Sequence, residues 1–294
     1  MPTDFHNERP LTFQLDKDFL FKYCDSRGID ILQSLRLKVT PPNQFNDPFE
    51  FMPKVDFCID SADVEKWLTD PARLRPIWEK TETGMSFEDF HAACAAIFGK
   101  GGQKQLEQTR KILQEQSVRD RDGVVDFISK THAIACYSET PDNFLMWSHY
   151  TRGHKGLVVE FNLTSGFFSQ PSNLMPVSYR SERASAVFDR NGFAFNENVL
   201  SVVRTKSLEW NYEREWRQLF TLDTCSKVHN PNSSVDYYKP LPPDAISSVM
   251  FGVRCRPKTE KIVRELVTRP NLQHVRLWRA VLHERDFKLK VIEA

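Results

Sequence analysis

The hydrophobic period of this chain changes once, near Thr131, and that change restricts its architecture more than any other feature. Before it, residues 61–130 read as helix. Ser61 caps a stretch bearing Trp67 and Leu68. Ser86, with Asp89 three residues on, forms a capping box. Phe87, Phe90, Cys94, Ile97 and Phe98 then make one apolar stripe at helical spacing. The run GKGGQ ends that helix, and a charged helix follows from Gln103 to Arg119 with Leu106, Ile112, Leu113 and Val118 as a thin apolar face. After Thr131 the segments 132–138, 155–162, 213–222, 245–252, 274–282 and 287–294 are rich in β-branched and aromatic residues and read as strands. A single helix, 259–267, interrupts them and is ended by Pro270. Strands and helices do not alternate, which excludes a doubly wound parallel sheet. The expected fold is α+β: one domain over 1–294 of mostly antiparallel sheets forming a cleft, with an inserted helical region at about 61–130.

Upstream, Phe19–Cys24 reads as a short strand. The segment IDILQSLRLK reads as a short helix, with Ile31, Leu32 and Leu35 at helical spacing and Pro41 and Pro42 as its stop. Residues 1–15 read as a loose start. Forty Lys+Arg against 39 Asp+Glu give a net charge of +1, so nothing global steers the chain to nucleic acid or an acidic membrane. A local basic patch stays open. No apolar run approaches the roughly 18 residues of a membrane span, and the opening MPTDFHNERP is polar, so a cytoplasmic protein without membrane partners is expected. Six scattered cysteines with no C-x-x-C pair read as reduced, mostly buried thiols, and no metal is expected.

Four clusters carry chemistry-bearing side chains. The first is Lys22–Tyr23, a basic and an aromatic residue at the end of the first strand, which taken alone reads as a core ring beside a solvated lysine. The second, Phe45–Glu50, is rich in turn formers. Asn46 and Asp47 are expected to bond local backbone, with Phe45 and Phe49 stapling the turn to the core. The third is Asp142–Tyr150, where Trp147, Ser148, His149 and Tyr150 stand together, either lining a pocket or forming a short aromatic helix packed on the sheet. Ser148 and His149 are adjacent and diverge on a helix, and no G-x-S-x-G occurs, so a serine-hydrolase triad is not indicated. The fourth, Lys206–Arg217, places Glu213, Glu215 and Arg217 on one face if 213–220 is a strand. Two carboxylates so close repel unless a cation sits between them. Lys206 or Arg217 supplies it, making either a structural ion-pair ladder or a carboxylate poised for catalysis.

Together the blocks Lys22–Tyr23, Phe45–Glu50, Met146–Tyr150 with Gly156 and Glu160–Phe161, Trp210–Arg217 and Leu241–Gly252 resemble a bacterial family of uncharacterised function. A second resemblance is to the ADP-ribosyltransferase arrangement, which holds NAD in a cleft between antiparallel sheets and works with a late glutamate. It implies Glu215 as the catalytic carboxylate with Glu213 and His149 beside it, and NAD as substrate. Lys22, Tyr23, Trp147, Tyr150 and Arg217 become the nucleotide-binding residues, with Tyr150 on the nicotinamide. Lys22 stands where that family has Arg or His, and the family's Ser-Thr-Ser block is missing. The resulting expectation is an NAD-cleaving, ADP-ribosyltransferase-like enzyme in a toxin or phage-defence setting. Its partner is a small-molecule nucleotide, and the acceptor is a protein or a nucleic acid. Two rivals stand beside it: a metal-dependent nuclease or phosphodiesterase with Asp47, Glu50, Glu160 and Glu215 on Mg²⁺, and a non-catalytic binding or immunity module.

Overall fold

A strand near the start of the chain, β1 (Phe19–Cys24), lies in the middle of the largest sheet of the computed structural model. Residues 18–59, 61–81, 84–101, 103–168, 174–189, 192–195, 199–231 and 234–294 are described. The loose start over 1–15 falls outside them, as do the side chains of Ser61, Trp67, Phe98 and Leu106. Mostly antiparallel sheets with separate helices make the fold α+β. The chain divides into two compact units, Met1–Pro48 with Ile128–Ser181 and Arg204–Ala294, and Phe49–Phe127 with Glu182–Val203.

In the first unit β1 pairs antiparallel on one side with β4 (His132–Ser138) and on the other with β5 (Leu157–Asn162). β11 (Glu215–Thr221) and β6 (Leu174–Pro176) extend the sheet beyond β4. Beyond β5 come β14 (Ile246–Phe251), β15 (Arg276–Leu282) and β16 (Leu289–Glu293). Only β14 and β15 run parallel within this sheet, and helix α8 (Pro257–Leu266) makes the crossover between them. Strand alternation sends Leu20, Tyr137, Val159, Phe161, Trp216 and Val249 to one face. There they bury against α1 (Ile29–Ser34) and the Val263–Leu266 side of α8. On the other face Tyr23, Val158 and Met250 pack with Met146 and Trp147 of α6 (Phe144–Tyr150). β5 is thus covered on both sides, which is why its sequence reads as a nearly unbroken apolar run.

The IDILQSLRLK helix is shorter than its spacing suggests. Leu35 takes a left-handed φ of 48° and ends α1, and β2 (Arg36–Val39) begins at once. Leu37 and Val39 are buried at alternate positions, a period of two hidden beneath the helical spacing of Ile31, Leu32 and Leu35. β2 joins β13 (Val235–Pro240) and β12 (Ser226–His229) in a second sheet. A parallel pair, β7 (Ser178–Arg180) with β10 (Thr205–Ser207), completes the strands of this unit.

The second unit holds β3 (Lys54–Phe57), β8 (Ser185–Asp189) and β9 (Gly192–Phe195) in one sheet, with helices α2 (Ser61–Leu68), α3 (Pro71–Lys80) and α4 (Phe87–Gly101). The long helix α5 (Gln103–Thr131) enters its core through Leu113, which packs with Ile59, Val64 and Phe188. Helix α7 (Val199–Arg204) ends where the first unit resumes. The capping box forms as expected, Asp89 N–H donating to Ser86 Oγ at 3.1 Å and Ser86 Oγ to Asp89 at 2.7 Å. The six cysteines are unpaired, but five are half-buried and Cys58 is exposed, so the expected burial of the thiols is only partial. Among the described residues no helix is long and apolar enough to cross a membrane.

Candidate functional site

Lys206 on β10 is carried inward by the parallel pairing with β7, which sets it opposite Tyr179. A 3-10 turn, Leu208–Glu213, follows and ends at Arg214, whose φ of 44° is left-handed. Glu213 therefore lies outside the strand expected at 213–220, and β11 starts only at Glu215. A continuous strand would hold the two carboxylates about 7 Å apart along one face. The bend at Arg214 instead closes both onto one ammonium, Lys206 Nζ donating to Glu213 at 2.6 Å and to Glu215 at 2.9 Å. Arg217, two residues further along β11, donates to Glu215 through Nε at 2.8 Å and Nη2 at 3.1 Å. Tyr150 Oη donates to the remaining Glu213 oxygen at 2.6 Å. Backbone contacts fix the bend: Ser138 Oγ donates to the Glu213 carbonyl at 2.7 Å, and the Glu215 N–H donates to Tyr179 Oη at 2.7 Å.

These four charges are deeply enclosed, with 7% of Lys206, 3% of Glu213, 5% of Glu215 and none of Arg217 exposed. Isolated charges at such depth cost many kcal/mol, so they persist only because each is paired. The two carboxylates respond in opposite directions. Burial pushes Glu213 above its ordinary range, Lys206 opposing and the Glu215 charge adding to the rise. Burial would raise Glu215 too, but Arg217 and then Lys206 outweigh it and hold Glu215 down at about 2. Burial, followed by the Glu213 carboxylate, raises Tyr150, so its hydroxyl keeps its proton. The Cys136 thiol, beside Glu215, is raised in the same way, by burial first and the carboxylate second.

Aromatic rings extend outward from the charges. Lys206 lies 5.0 Å from the Trp210 ring centre, and Trp210 Nε1 donates to Asp47 at 2.9 Å. Trp210 leads to Tyr212 at 6.0 Å between centroids, and Tyr212 to the exposed His149 at 6.4 Å. His149 in turn meets Tyr150 at 6.4 Å.

Of the residues picked out by sequence, Glu213, Glu215, Arg217 and Tyr150 are thus brought together, with His149 at the rim. Three others are placed elsewhere. Lys22 is opposite Val159 in the sheet and lies over the Tyr137 ring, its ammonium donating to the Cys136 carbonyl at 3.0 Å. Strand alternation puts it on the Tyr137 and Trp216 face, opposite to that of Glu215 and Arg217. Tyr23 and Trp147 meet edge to face at 5.6 Å inside the core. Their polar atoms are engaged there, Tyr23 Oη donating to the Thr140 carbonyl at 2.8 Å and Trp147 Nε1 to that of Pro141 at 2.7 Å. The DNFLMWSHY segment is a short helix, capped by Asn143 accepting from Leu145 and Met146 N–H.

The turn at Phe45–Glu50 also differs from expectation. Asp47 accepts from Trp210, Asn46 is exposed, and Phe49 is 63% exposed with the Arg183 guanidinium 5.0 Å from its ring centre. Phe45 is half-buried, 5.8 Å from the Arg217 guanidinium. One ring faces a cation in each case, so the two phenylalanines do not staple the turn into the apolar core. The four acids of the metal reading are not assembled as a ligand set. Glu215 is held by Arg217 and Lys206, Asp47 accepts from Trp210, and Glu160 accepts from Ser248. Among the described residues no group of three or more His, Cys, Asp or Glu is placed to hold a metal ion. Sequence reasoning did not single out Tyr179, because a three-residue strand leaves no period to read. Trp210 and Tyr212 were visible only as part of the block around the glutamates.

The protein is therefore an α+β molecule whose most concentrated chemistry is a buried carboxylate pair on one ammonium. Residues 146–218 are similar to a family of proteins of unknown function, DUF2971, and that stretch contains Tyr150, Tyr179, Lys206, Glu213, Glu215 and Arg217. No curated protein and no solved structure matches the chain.

Proposed function

We propose that the chain is an ADP-ribosyltransferase-like enzyme that cleaves NAD between nicotinamide and ribose and passes ADP-ribose to an acceptor. The observation that carries the reading is the pair Glu213–Glu215, two adjacent carboxylates whose surroundings bias their protonation in opposite directions. In this reading the C–N glycosidic bond breaks, nicotinamide leaves with the electron pair, and an oxocarbenium-like ribosyl group remains. Glu215, kept ionised by Arg217 and Lys206, supplies the negative charge that stabilises it. The acceptor's nucleophile bonds to the ribosyl carbon and its proton passes to ionised Glu213, whose raised affinity for a proton suits it to be the base. Tyr150 orients Glu213, and with His149, Tyr212 and Trp210 it lines the approach for a planar ring. Lys22 and the core residues Tyr23 and Trp147 take no part. A toxin or phage-defence setting suits such chemistry, with a protein or nucleic acid as acceptor.

A second reading, a binding or immunity module without catalysis, is favoured by one specific observation. Each of the four carboxylate oxygens of Glu213 and Glu215 already accepts a hydrogen bond from this chain's own side chains. Nicotinamide release by the purified protein separates the two. The enzyme reading expects release that Glu215→Gln lowers by about 10²–10³-fold, a range typical of losing one electrostatic stabiliser. Tyr150→Phe, a gentler change, is expected to slow release while keeping the melting curve close to wild type. Wild-type protein that releases no nicotinamide with any acceptor, or a Glu215→Gln variant as fast as wild type, overturns it and leaves the binding module.

A further inference from the structure

Three loops meet at one end of the large sheet, at the end of β1, the start of β5 and the end of β14. Gly156 lies so close to Cys24 and Asp25 that a side chain there would strike the Cys24 carbonyl. Gly252 N–H donates to the Gly156 carbonyl at 3.1 Å, and Arg254 N–H to that of His154 at 2.9 Å. Arg152 reaches Asp25 at 3.4 Å, and Arg27 the same carboxylate at 2.9 Å. The three strands are neighbours in the order β14, β5, β1, so their loops form a row about 10 Å wide.

These loops carry Arg27, Arg152, Lys155, Arg254 and Arg256, and Lys258 follows in the first turn of α8, all exposed. Asp25 is the carboxylate that ion-pairs within the row, and Asp236 and Asp30 act on Arg27 through space. Asp25 is already shared by two arginines, and Lys155, Arg254, Arg256 and Lys258 make no ion pair with a described residue. In a chain of net charge +1 this is a local surplus that the whole-chain balance hides. A surface patch of one sign raises the local concentration of anions of the opposite sign. We propose that this row is a nucleic-acid interface that grips the phosphate backbone. Arginines, four of the six, match phosphate oxygens as a planar fork. Among the described residues the exposed large apolar side chains all lie outside these loops, so the row lacks the apolar anchors with which a protein inserts into a lipid surface. The interface is independent of the proposed NAD chemistry and stands or falls on its own.

Fluorescence anisotropy with short labelled oligonucleotides, one RNA, one single-stranded DNA and one duplex, tests it on the full chain. The expected result is binding that weakens roughly 50-fold between about 50 and 200 mM salt on a single strand, the behaviour of about four neutralised phosphates. The double variant Arg254→Glu/Arg256→Glu should bind at least about tenfold more weakly and with a flatter salt dependence. Lys290→Glu on β16, an exposed cation outside the row, should bind like wild type. Arg256→Gln gives the same direction at smaller size if charge reversal unsettles α8. No binding at low salt, an equal loss in Lys290→Glu, or preference for polyglutamate or phosphatidylserine vesicles over all three oligonucleotides overturns the proposal.

Discussion

The buried cluster at Lys206–Arg217 and the exposed row of Arg27, Arg152, Lys155, Arg254, Arg256 and Lys258 use the same kinds of side chain in opposite ways. In the cluster two cations and two carboxylates are enclosed and answer one another atom for atom. In the row six cations face solvent, and Asp25 ion-pairs with only two of them. Water makes the second arrangement tolerable, because exposed charges interact weakly through solvent and salt. Enclosure makes the first demanding, because a partner removed there leaves a charge with nothing to solvate it. The same substitution should therefore have very different consequences in the two places.

The largest contrast is expected from replacing one lysine in each. Lys206→Met leaves two buried carboxylates facing each other and should lower stability by about 3–5 kcal/mol, whereas Lys258→Met should stay within about 0.5 kcal/mol. Urea unfolding of the two variants measures both, and similar losses would break the comparison.

A second, smaller effect separates the two carboxylates within the cluster. Glu215 is held at about 2, below its ordinary 4.5, so its charge contributes stability above about pH 4.5 that is lost as pH falls towards 2. Glu213 is raised above 4.5, so its contribution runs the other way, present below pH 4.5 and lost as pH rises through its folded value. Glu215→Gln should flatten the acid limb of stability against pH. Glu213→Gln should remove a decline on the less acidic side. Unfolding midpoints across pH 2–7 would show both, and identical profiles for the two variants would mean that the opposite bias is absent.

The smallest effect is local to the exposed row. Arg152 holds φ at 52°, a left-handed conformation that costs an ordinary residue about 1–2 kcal/mol. Arg152→Gly removes that strain along with an exposed contact to Asp25, and thermal unfolding should show a gain of about 0.5–1 kcal/mol. A loss instead would mean that the arginine side chain stabilises its loop.

Much of the sheet could be read in the sequence. The segments at β4, β5, β14, β15 and β16 alternate or run apolar over five to seven residues, long enough for a period to show. The helix at α8 was visible from its spacing and from Pro270 beyond it. Strands β6, β7 and β10 are three residues each, too short for any period. The carboxylate pair was legible as a repulsion needing a cation, and Lys206 fills that need between them. The bend that assembles it was not. Left-handed backbone is usually announced by Gly or Asn, and here Arg214 carries it, as Leu35 does at the end of α1. The separation of Lys22 from Glu215 needed the register of β1 against β4, which no local pattern encodes.

The central place of β1 also bears on how the chain comes together. Phe19–Cys24 pairs only with His132–Ser138 and Leu157–Asn162, more than a hundred residues later, so closing that loop carries a substantial entropy cost before any ladder bond repays it. As a ribosome delivers the chain, this strand emerges before both of its partners and stays without them until those later segments follow. During that interval Leu20, fully buried in the finished sheet, is exposed on an open edge. The segment that ends at the middle of the sheet is thus made before both of its neighbours, and its safekeeping in that time falls to whatever shields nascent chains from one another.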